Sequence, residues 1–339
     1  MRAWLLDDAK GPSSYRLGNV PTPEPGPGEV RVALRASALN HLDLWVAHGM
    51  PRPPLFPHVS GADGAGVVVD VGAGVDDVEQ GDEVVLDPST SCGACEECAA
   101  DRIGSCRSFK ILGEHRWGTH ADAIVLPAAN VRGKPVDLSW ESAAAFGLVV
   151  SSAMRMAHRG RLAPGVRALV IGIGGGSATA TFLVAKALGA EVYVTSTKET
   201  SRAWALAHGA AAAFESKDPY DELVRAATGG RGADVVFDNV GTVTFERSLR
   251  ALARGGRLVT NGSTSGRSAE LHLPTLFWRE LEIVGSTMND HREFADAVAL
   301  VGAGAVDVPV DTVVPFEELP AALERLETGD QLGKIVLAR

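Results

Sequence analysis

The sequence predicts a mixed α/β protein in two domains, a β-rich barrel or sandwich beside a doubly wound parallel sheet. Three observations carry this reading. Between residues 168 and 261, short apolar runs alternate with helical patterns, the order that yields a parallel sheet with helices on both faces. The first of these runs leads straight into the glycine stretch Gly172-Ile-Gly-Gly-Gly176 and then into a helix. The first ~130 residues instead alternate polar and apolar positions between glycine and proline punctuation, with few helical patterns.

Taken in order, residues 1–36 read as short strands interrupted by the rigid turn Pro21 to Gly28. Glu29 to Arg35 alternates cleanly and predicts a half-buried strand; Gly64–Gly72 and Asp82–Leu86 continue the β pattern. The texture changes near Pro135. Ser139 to Met156 is alanine-rich and helical, with Ser139 as N-cap and Glu141 in the first turn. Ala168 to Ile171 is long enough for a buried strand and too short for a helix. The expected elements that follow are a helix over 178–188, a strand Glu191–Thr195, a helix over 200–208, a strand Asp234–Asp238, a helix over 243–253 and a strand Arg257–Asn261. Beyond Gly285 come a helix Arg292–Val301 and a closing strand Lys334–Leu337.

The strand, glycine turn and helix over 168–188 form the kind of cradle that holds a pyrophosphate. Glycines let the backbone approach closely, and free N–H groups at the helix start face the anion. Gly172, Gly174, Gly175, Gly176, Ser177 and Ala178 are the residues of that cradle. Ala178 stands where glycine is common, which the packing of helix on strand tolerates. The residue reading the adenosine ribose lies about 20 positions further on. There the chain offers Ser196, Thr197 and Lys198, with Arg202 one helical turn later and Glu199 among them. Hydroxyls and cations suit a 2′-phosphate, so NADPH is the expected cofactor.

Composition bounds the remaining choices. A chain of 339 residues is long for one core. Its net charge of −10 argues against nucleic acid and anionic membrane as partners. No apolar run approaches the ~18 residues of a membrane span, and the two Asp after the brief N-terminal apolar patch argue against a secretory signal. A cytoplasmic enzyme is expected. All four cysteines, Cys92, Cys95, Cys98 and Cys106, fall in one short stretch. Two-residue spacings let consecutive thiolates meet one tetrahedral ion, and four soft anionic ligands favour structural zinc, one per chain, with no open position for catalysis. A disulfide reading would need an oxidising compartment, for which nothing argues.

Several of these stretches, with Asn40-His-Leu-Asp43, Gly61–Gly66, Gly81-Asp82, Asp238–Gly241, Gly255–Val259, Gly285–Met288 and Gly333–Leu337, make the chain similar to the medium-chain dehydrogenase/reductase superfamily over nearly its whole length. The glycine turn, one residue longer than in the alcohol dehydrogenases, resembles the quinone oxidoreductase branch. The resemblance implies a GroES-like barrel from residues 1–130 and 286–339, with a zinc lobe at 92–106, and a Rossmann domain at 131–285. It implies that His41 touches the pyrophosphate, that Ser152 packs beside the nicotinamide, and that Asn239, Asn261, Gly262, Ser263, Ser286, Thr287 and Lys334 contribute to the cofactor site.

The resemblance also exposes a departure. Where alcohol-oxidising members hold a second, catalytic zinc, this chain carries Asn40, Ala62 with Asp63, and Leu148; the proton-relaying hydroxyl is matched by Leu42. An amide, a methyl and an isobutyl group make no Lewis-acid site. Hydride is therefore expected to reach an acceptor polarised by its own conjugation, a quinone or an α,β-unsaturated carbonyl. Asn40 is expected to orient cofactor or acceptor, and Asp43 to brace the barrel by hydrogen bonding rather than take protons. Trp45, Trp117, Trp278 and Met288 are candidates for an apolar wall. Two alternatives stand beside this: an alcohol dehydrogenase with an unusual site drawn from His41, Asp43, His58 or Asp63, and a non-enzymatic NADPH-binding protein. A homodimer is expected through the strand-like Leu281–Gly285 at a sheet edge.

Overall fold

A computed structural model describes residues 1–339. The chain divides into two compact units, one comprising residues 1–151, 289–304 and 308–339, the other residues 152–288 and 305–307.

The first unit opens with the hairpin β1 (Arg2–Leu6) and β2 (Tyr15–Asn19), then β3 (Glu29–Ala38) and helix α1 (His41–Ala47). Strands β4 (Asp63–Val71) and β5 (Glu83–Leu86) follow, then the pair β6 (Ser89–Thr90) and β7 (Lys110–Ile111) around the short helix α2 (Glu96–Ala99). Strands β8 (Ala123–Pro127) and β9 (Val131–Gly133) precede helix α3 (Trp140–Ala145), and helix α4 (Gly147–Gly160) spans the boundary at residue 151. The anticipated alternation along β3 is realised: Val30, Val32, Leu34, Ala36 and Ala38 are buried, with Val68, Val84, Leu86, Ile124 and Leu126 joining the same core.

Ser139 caps α3 through a bond from the Ser142 N–H, as the sequence suggests. The expected single helix over 139–156 is instead two, broken at Phe146. The domain boundary also differs from the expected 130/131. Residues 131–151 belong to the first unit because the alanine face of α3 packs on its sheet, burying Ala143, Ala144 and Ala145.

The second unit holds β10 (Arg167–Val170), α5 (Gly176–Ala187), β11 (Glu191–Ser196), α6 (Glu199–Ala207), β12 (Ala212–Glu215), α7 (Tyr220–Ala227), β13 (Ala233–Asp238), α8 (Phe245–Ala251), β14 (Leu252–Thr260), α9 (Leu273–Trp278) and β15 (Glu282–Gly285). The sheet is wholly parallel, in the order β12-β11-β10-β13-β14-β15. This is the doubly wound order, in which the connection reverses between β10 and β13. Both faces are buried, which explains the unbroken apolar runs. Ala168 and Val170 pack with Phe182 and Val235 on one side; Leu169 and Ile171 pack with Tyr220 and Leu258 on the other. Strand β12 and helix α7 escape the sequence reading, since β12 is only half-buried and carries no strong alternation.

The chain then returns to the first unit with α10 (His291–Gly302), β16 (Val310–Pro315), α11 (Leu319–Thr328) and β17 (Lys334–Ala338). Strand β17 runs antiparallel to β3 and parallel to β16, so the last strand completes a seven-stranded sheet whose earliest strand is β3. Leu39, Leu44, Phe316, Leu323, Ile335 and Leu337 form the core that ties the two ends together.

Candidate active site and metal centre

In the second unit, β10 delivers the chain into the glycine turn. Gly172 has φ +77 and Gly174 has φ +130, conformations that strain any side chain, and a Cβ on Gly174 would lie 2.9 Å from Ser201 Oγ. The turn is fastened to the end of β11. The Gly172 N–H donates to Thr195 Oγ1 (3.1 Å), and Ser196 Oγ donates to the Ile173 carbonyl (2.8 Å). Helix α5 then starts with Gly175 as N-cap and no side chain over its first turn, leaving those N–H groups for an outside acceptor. Ala178 is buried, as close packing requires.

Beyond the turn, Ile171, Ala178, Asp238, Asn239 and Asn261 line a cleft at the carboxyl ends of β10, β13 and β14. Asn261 Oδ1 and Ser286 Oγ are buried there and near the end of β15 without a hydrogen-bond partner. Buried polar atoms of this kind call for a ligand group. The glycine cradle and these unpartnered atoms fit a dinucleotide. Asp238 fixes the cleft floor, its carboxylate accepting from the N–H groups of Val240 and Gly241 and the hydroxyls of Thr244 and Ser248. Ser152 is buried, whereas Ser263 and Thr287 are exposed, and Gly262 is half-buried with its carbonyl accepting from Thr260 Oγ1.

The adenosine-reading positions are less open than the sequence suggests. Thr197 is exposed and Lys198 half-buried, but Ser196 is buried and engaged. Arg202 donates to Glu215 Oε2 (2.6 Å) and to the Ser196 carbonyl (2.7 Å). Glu215 ends strand β12, which the sequence pattern does not reveal.

In the first unit, the positions that match a second metal site converge on a lysine. Lys334 Nζ donates to Asn40 Oδ1 (2.6 Å) and to Asp63 Oδ2 (2.8 Å), while Asn40 Nδ2 donates to the same Asp63 oxygen (3.0 Å). The other Asp63 oxygen accepts from the Leu148 N–H (2.6 Å). All three side chains are buried. Gly333 makes the approach possible: it has φ +91, and a Cβ there would lie 2.1 Å from the Pro309 carbonyl oxygen.

Asp43 braces this cluster from beneath, accepting from the Asn40 N–H (2.8 Å) and the Gly61 N–H (3.0 Å). His120 Nε2 lies 3.5 Å from the same carboxylate. His41 reaches solvent at the start of α1, yet its crowded surroundings, and then the Lys334 charge, lower its pKa. His58 bonds the Gly113 carbonyl. Of the alternative ligand set, Asp43, His58 and Asp63 are thus committed elsewhere and only His41 is left, so a three-ligand catalytic zinc does not fit these residues. Of the proposed wall residues, Trp117 and Trp278 are exposed, and Trp45 and Met288 half-buried.

The four cysteines come together in one cluster that could hold a metal ion. Their Sγ atoms all lie within 4.8 Å of one another. Four of the separations are 3.5, 3.6, 3.7 and 3.8 Å. A tetrahedron of Zn–S bonds of about 2.3 Å has edges near 3.8 Å, so the donor set fits zinc. The lobe also caps helix α10. Asp101 accepts from the N–H groups of His291 and Arg292, and the Gly104 N–H donates to Asp290.

Behind that cap lies a buried polar network that sequence reasoning missed. Asp87 accepts from Asn289 Nδ2 (2.9 Å) and sits 3.2 Å from His291 Nδ1. Asn289 Oδ1 in turn accepts from Ser89 and Ser151. Burial raises the Asp87 pKa, and the bond to Asp87 raises that of His291.

A doubly wound parallel sheet with a glycine cradle, joined in one chain to a barrel bearing a four-thiolate metal lobe, defines a dinucleotide-dependent oxidoreductase class. Residues 26–136 match the alcohol dehydrogenase GroES-like domain and residues 172–303 the zinc-binding dehydrogenase domain. A crystal structure of an NAD-dependent alcohol dehydrogenase superposes over 100% of both chains, with TM-score 0.96 and 41% identity. The NAD-dependent alcohol dehydrogenase of Sulfolobus acidocaldarius is 29% identical over 99% of each chain. The acryloyl-coenzyme A reductase of Metallosphaera sedula is 28% identical over 95% of this chain and 96% of its own. The chain belongs to the zinc-type medium-chain dehydrogenase/reductase superfamily, whose members of this type carry a nicotinamide cofactor and zinc.

Proposed function

We propose that this oxidoreductase uses NADPH to reduce a conjugated acceptor, a quinone or an α,β-unsaturated carbonyl, without a catalytic metal. The observation that carries the reading is the Asn40–Asp63–Lys334 cluster at the positions matching a catalytic zinc site. With no ion to stabilise an alkoxide, alcohol oxidation lacks its electrophile. A conjugated carbonyl needs only a donor where charge develops. Similarity to the Metallosphaera acryloyl-coenzyme A reductase, whose named substrate is a conjugated thioester, supports this substrate class.

A bound nicotinamide supplies hydride. The chain's own residues bind and orient it. The first turn of α5 and Gly172–Gly176 receive the pyrophosphate, and Asn239, Asn261, Gly262, Ser263, Ser286, Thr287 and Ser152 surround the nicotinamide half. Thr197, Lys198 and Arg202 select the 2′-phosphate. Asn40 presents an amide donor toward the acceptor, and Asp43 holds its backbone. Cys92, Cys95, Cys98 and Cys106 hold one structural zinc. The protein acts in the cytoplasm as a homodimer joined along β15.

A second reading, alcohol oxidation with NAD, is favoured by the 41% identity to an NAD-dependent alcohol dehydrogenase. Steady-state assays separate the two. NADPH oxidation with a panel of enones, enoyl thioesters and quinones is expected, with little NAD reduction by primary or secondary alcohols. The reverse pattern would overturn the proposal. Cofactor binding with no turnover of either panel would indicate a non-enzymatic role.

A further inference from the structure

We infer that Lys334 is the resident cation of the first unit, a side chain that bars a divalent ion from the site and sets the orientation of Asn40. The inference deepens the metal-free reading above and rests on it for its meaning in catalysis, though not for its test.

An ammonium group can only donate and a carboxylate can only accept. Lys334 therefore requires the Asn40 oxygen to face it, at 2.6 Å. Asp63 requires the Asn40 amide nitrogen, at 3.0 Å. Only one orientation of the amide satisfies both, so the lysine and the aspartate together fix it. One N–H of Asn40 is spent on Asp63, and the second remains a donor of defined direction.

The charge balance points the same way. Asp63 is wholly buried, and a buried carboxylate without a counter-charge is strongly disfavoured. The neutralising charge arrives from Lys334, 271 residues away in sequence and itself 2% exposed. With Asp63 holding the ammonium at 2.8 Å and the Leu148 N–H at 2.6 Å, both oxygens are engaged. A divalent ion entering here would meet a fixed positive charge and a carboxylate already occupied. The repulsion between a single and a double charge a few ångströms apart, at the effective dielectric of a protein interior, corresponds to at least about 100-fold in affinity. Losing metal-ligating side chains removes the means of binding zinc; the lysine removes the electrostatic reason for it.

The test restores the ligands and varies the lysine. Asn40→Cys, Ala62→His and Leu148→Cys are combined in one variant that keeps Lys334 and in another that adds Lys334→Met. Cobalt is titrated into the zinc-loaded proteins, with visible d–d absorbance and metal content after gel filtration as readouts. The lysine-containing variant is expected to bind a second ion at least about 100-fold more weakly than its Lys334→Met counterpart. Equal affinity in the two would overturn the inference.

If those variants do not fold, the native ligand set carries the same question. Lys334→Met is expected to lower the melting temperature, and Lys334→Arg or the neutral pair Asp63→Asn/Lys334→Met to recover most of the loss. A Lys334→Met protein as stable as the parent, with no gain from the second substitution, would refute it. None of these readouts depends on turnover. Failure of the enone assay and failure of this inference are therefore distinguishable.

Discussion

Under the NADPH reading proposed above, cofactor choice turns on one ion pair. Arg202 donates to Glu215 at 2.6 Å, with the two side chains only 21% and 26% exposed. Such a partly shielded pair is worth about 1 kcal/mol. A guanidinium released from it to a 2′-phosphate would make a charge-assisted bond of about 1.5–3 kcal/mol. Glu215 therefore competes with the cofactor for Arg202. Glu215→Gln is expected to return about 1 kcal/mol to phosphate binding, close to a fivefold rise in the ratio of kcat/KM for NADPH over NADH. Arg202→Ala should lower the same ratio about tenfold or more, while leaving kcat/KM for NADH nearly unchanged. The assay is initial-rate kinetics with both cofactors on one acceptor, with a melting curve to show that each variant is folded. An unchanged ratio in both variants would refute the assignment of Arg202 to the 2′-phosphate.

Three further expectations follow from the geometry. Cys98→Ser should abolish zinc retention and, with the cap on α10 lost, lower the melting temperature by roughly 5–10 °C, read by metal analysis and calorimetry. His291 has its pKa raised by the bond to Asp87, with Asp101 adding to the effect and Arg132 and burial opposing it. Its charged form therefore stabilises the fold fully below the unfolded value of about 6.5, and that contribution is lost as pH rises through the elevated folded value; the difference in melting temperature between the parent and His291→Gln should shrink between mildly acidic and alkaline buffer. Strand β15 pairs with β14 on one side only and presents Ile283 at 38% exposure, so sedimentation should show a dimer that Ile283→Asp converts to monomer.

Much of the fold can be read from local pattern. The strand over 168–171, the glycine turn and the Ser139 cap each depend on residues a few positions apart. The four thiolates are likewise close in sequence, and their spacing alone implies a shared ion. The parts that elude such reading are those built from distant partners. Asn40 and Asp63 stand out in sequence as missing ligands, but the lysine that bonds both enters with β17. Glu215 could not be seen as the partner of Arg202, because β12 is too short and too weakly alternating to be recognised. The boundary at 151 rather than 130 has a similar cause: α3 looks like part of the helical half, and only its packing on β3 and β4 assigns it to the barrel.

The pairing of β17 with β3 has a consequence for biosynthesis. Chains emerge from the ribosome N-terminus first, at ~5–20 residues per second, and fold domain by domain. The parallel sheet can assemble once its central stretch is outside, whereas the sheet of the first unit must wait for residues 334–338. Until then Asp63 has no counter-charge and Asn40 no fixed orientation. The order of synthesis thus lets the parallel-sheet unit complete itself while the other unit still lacks β17.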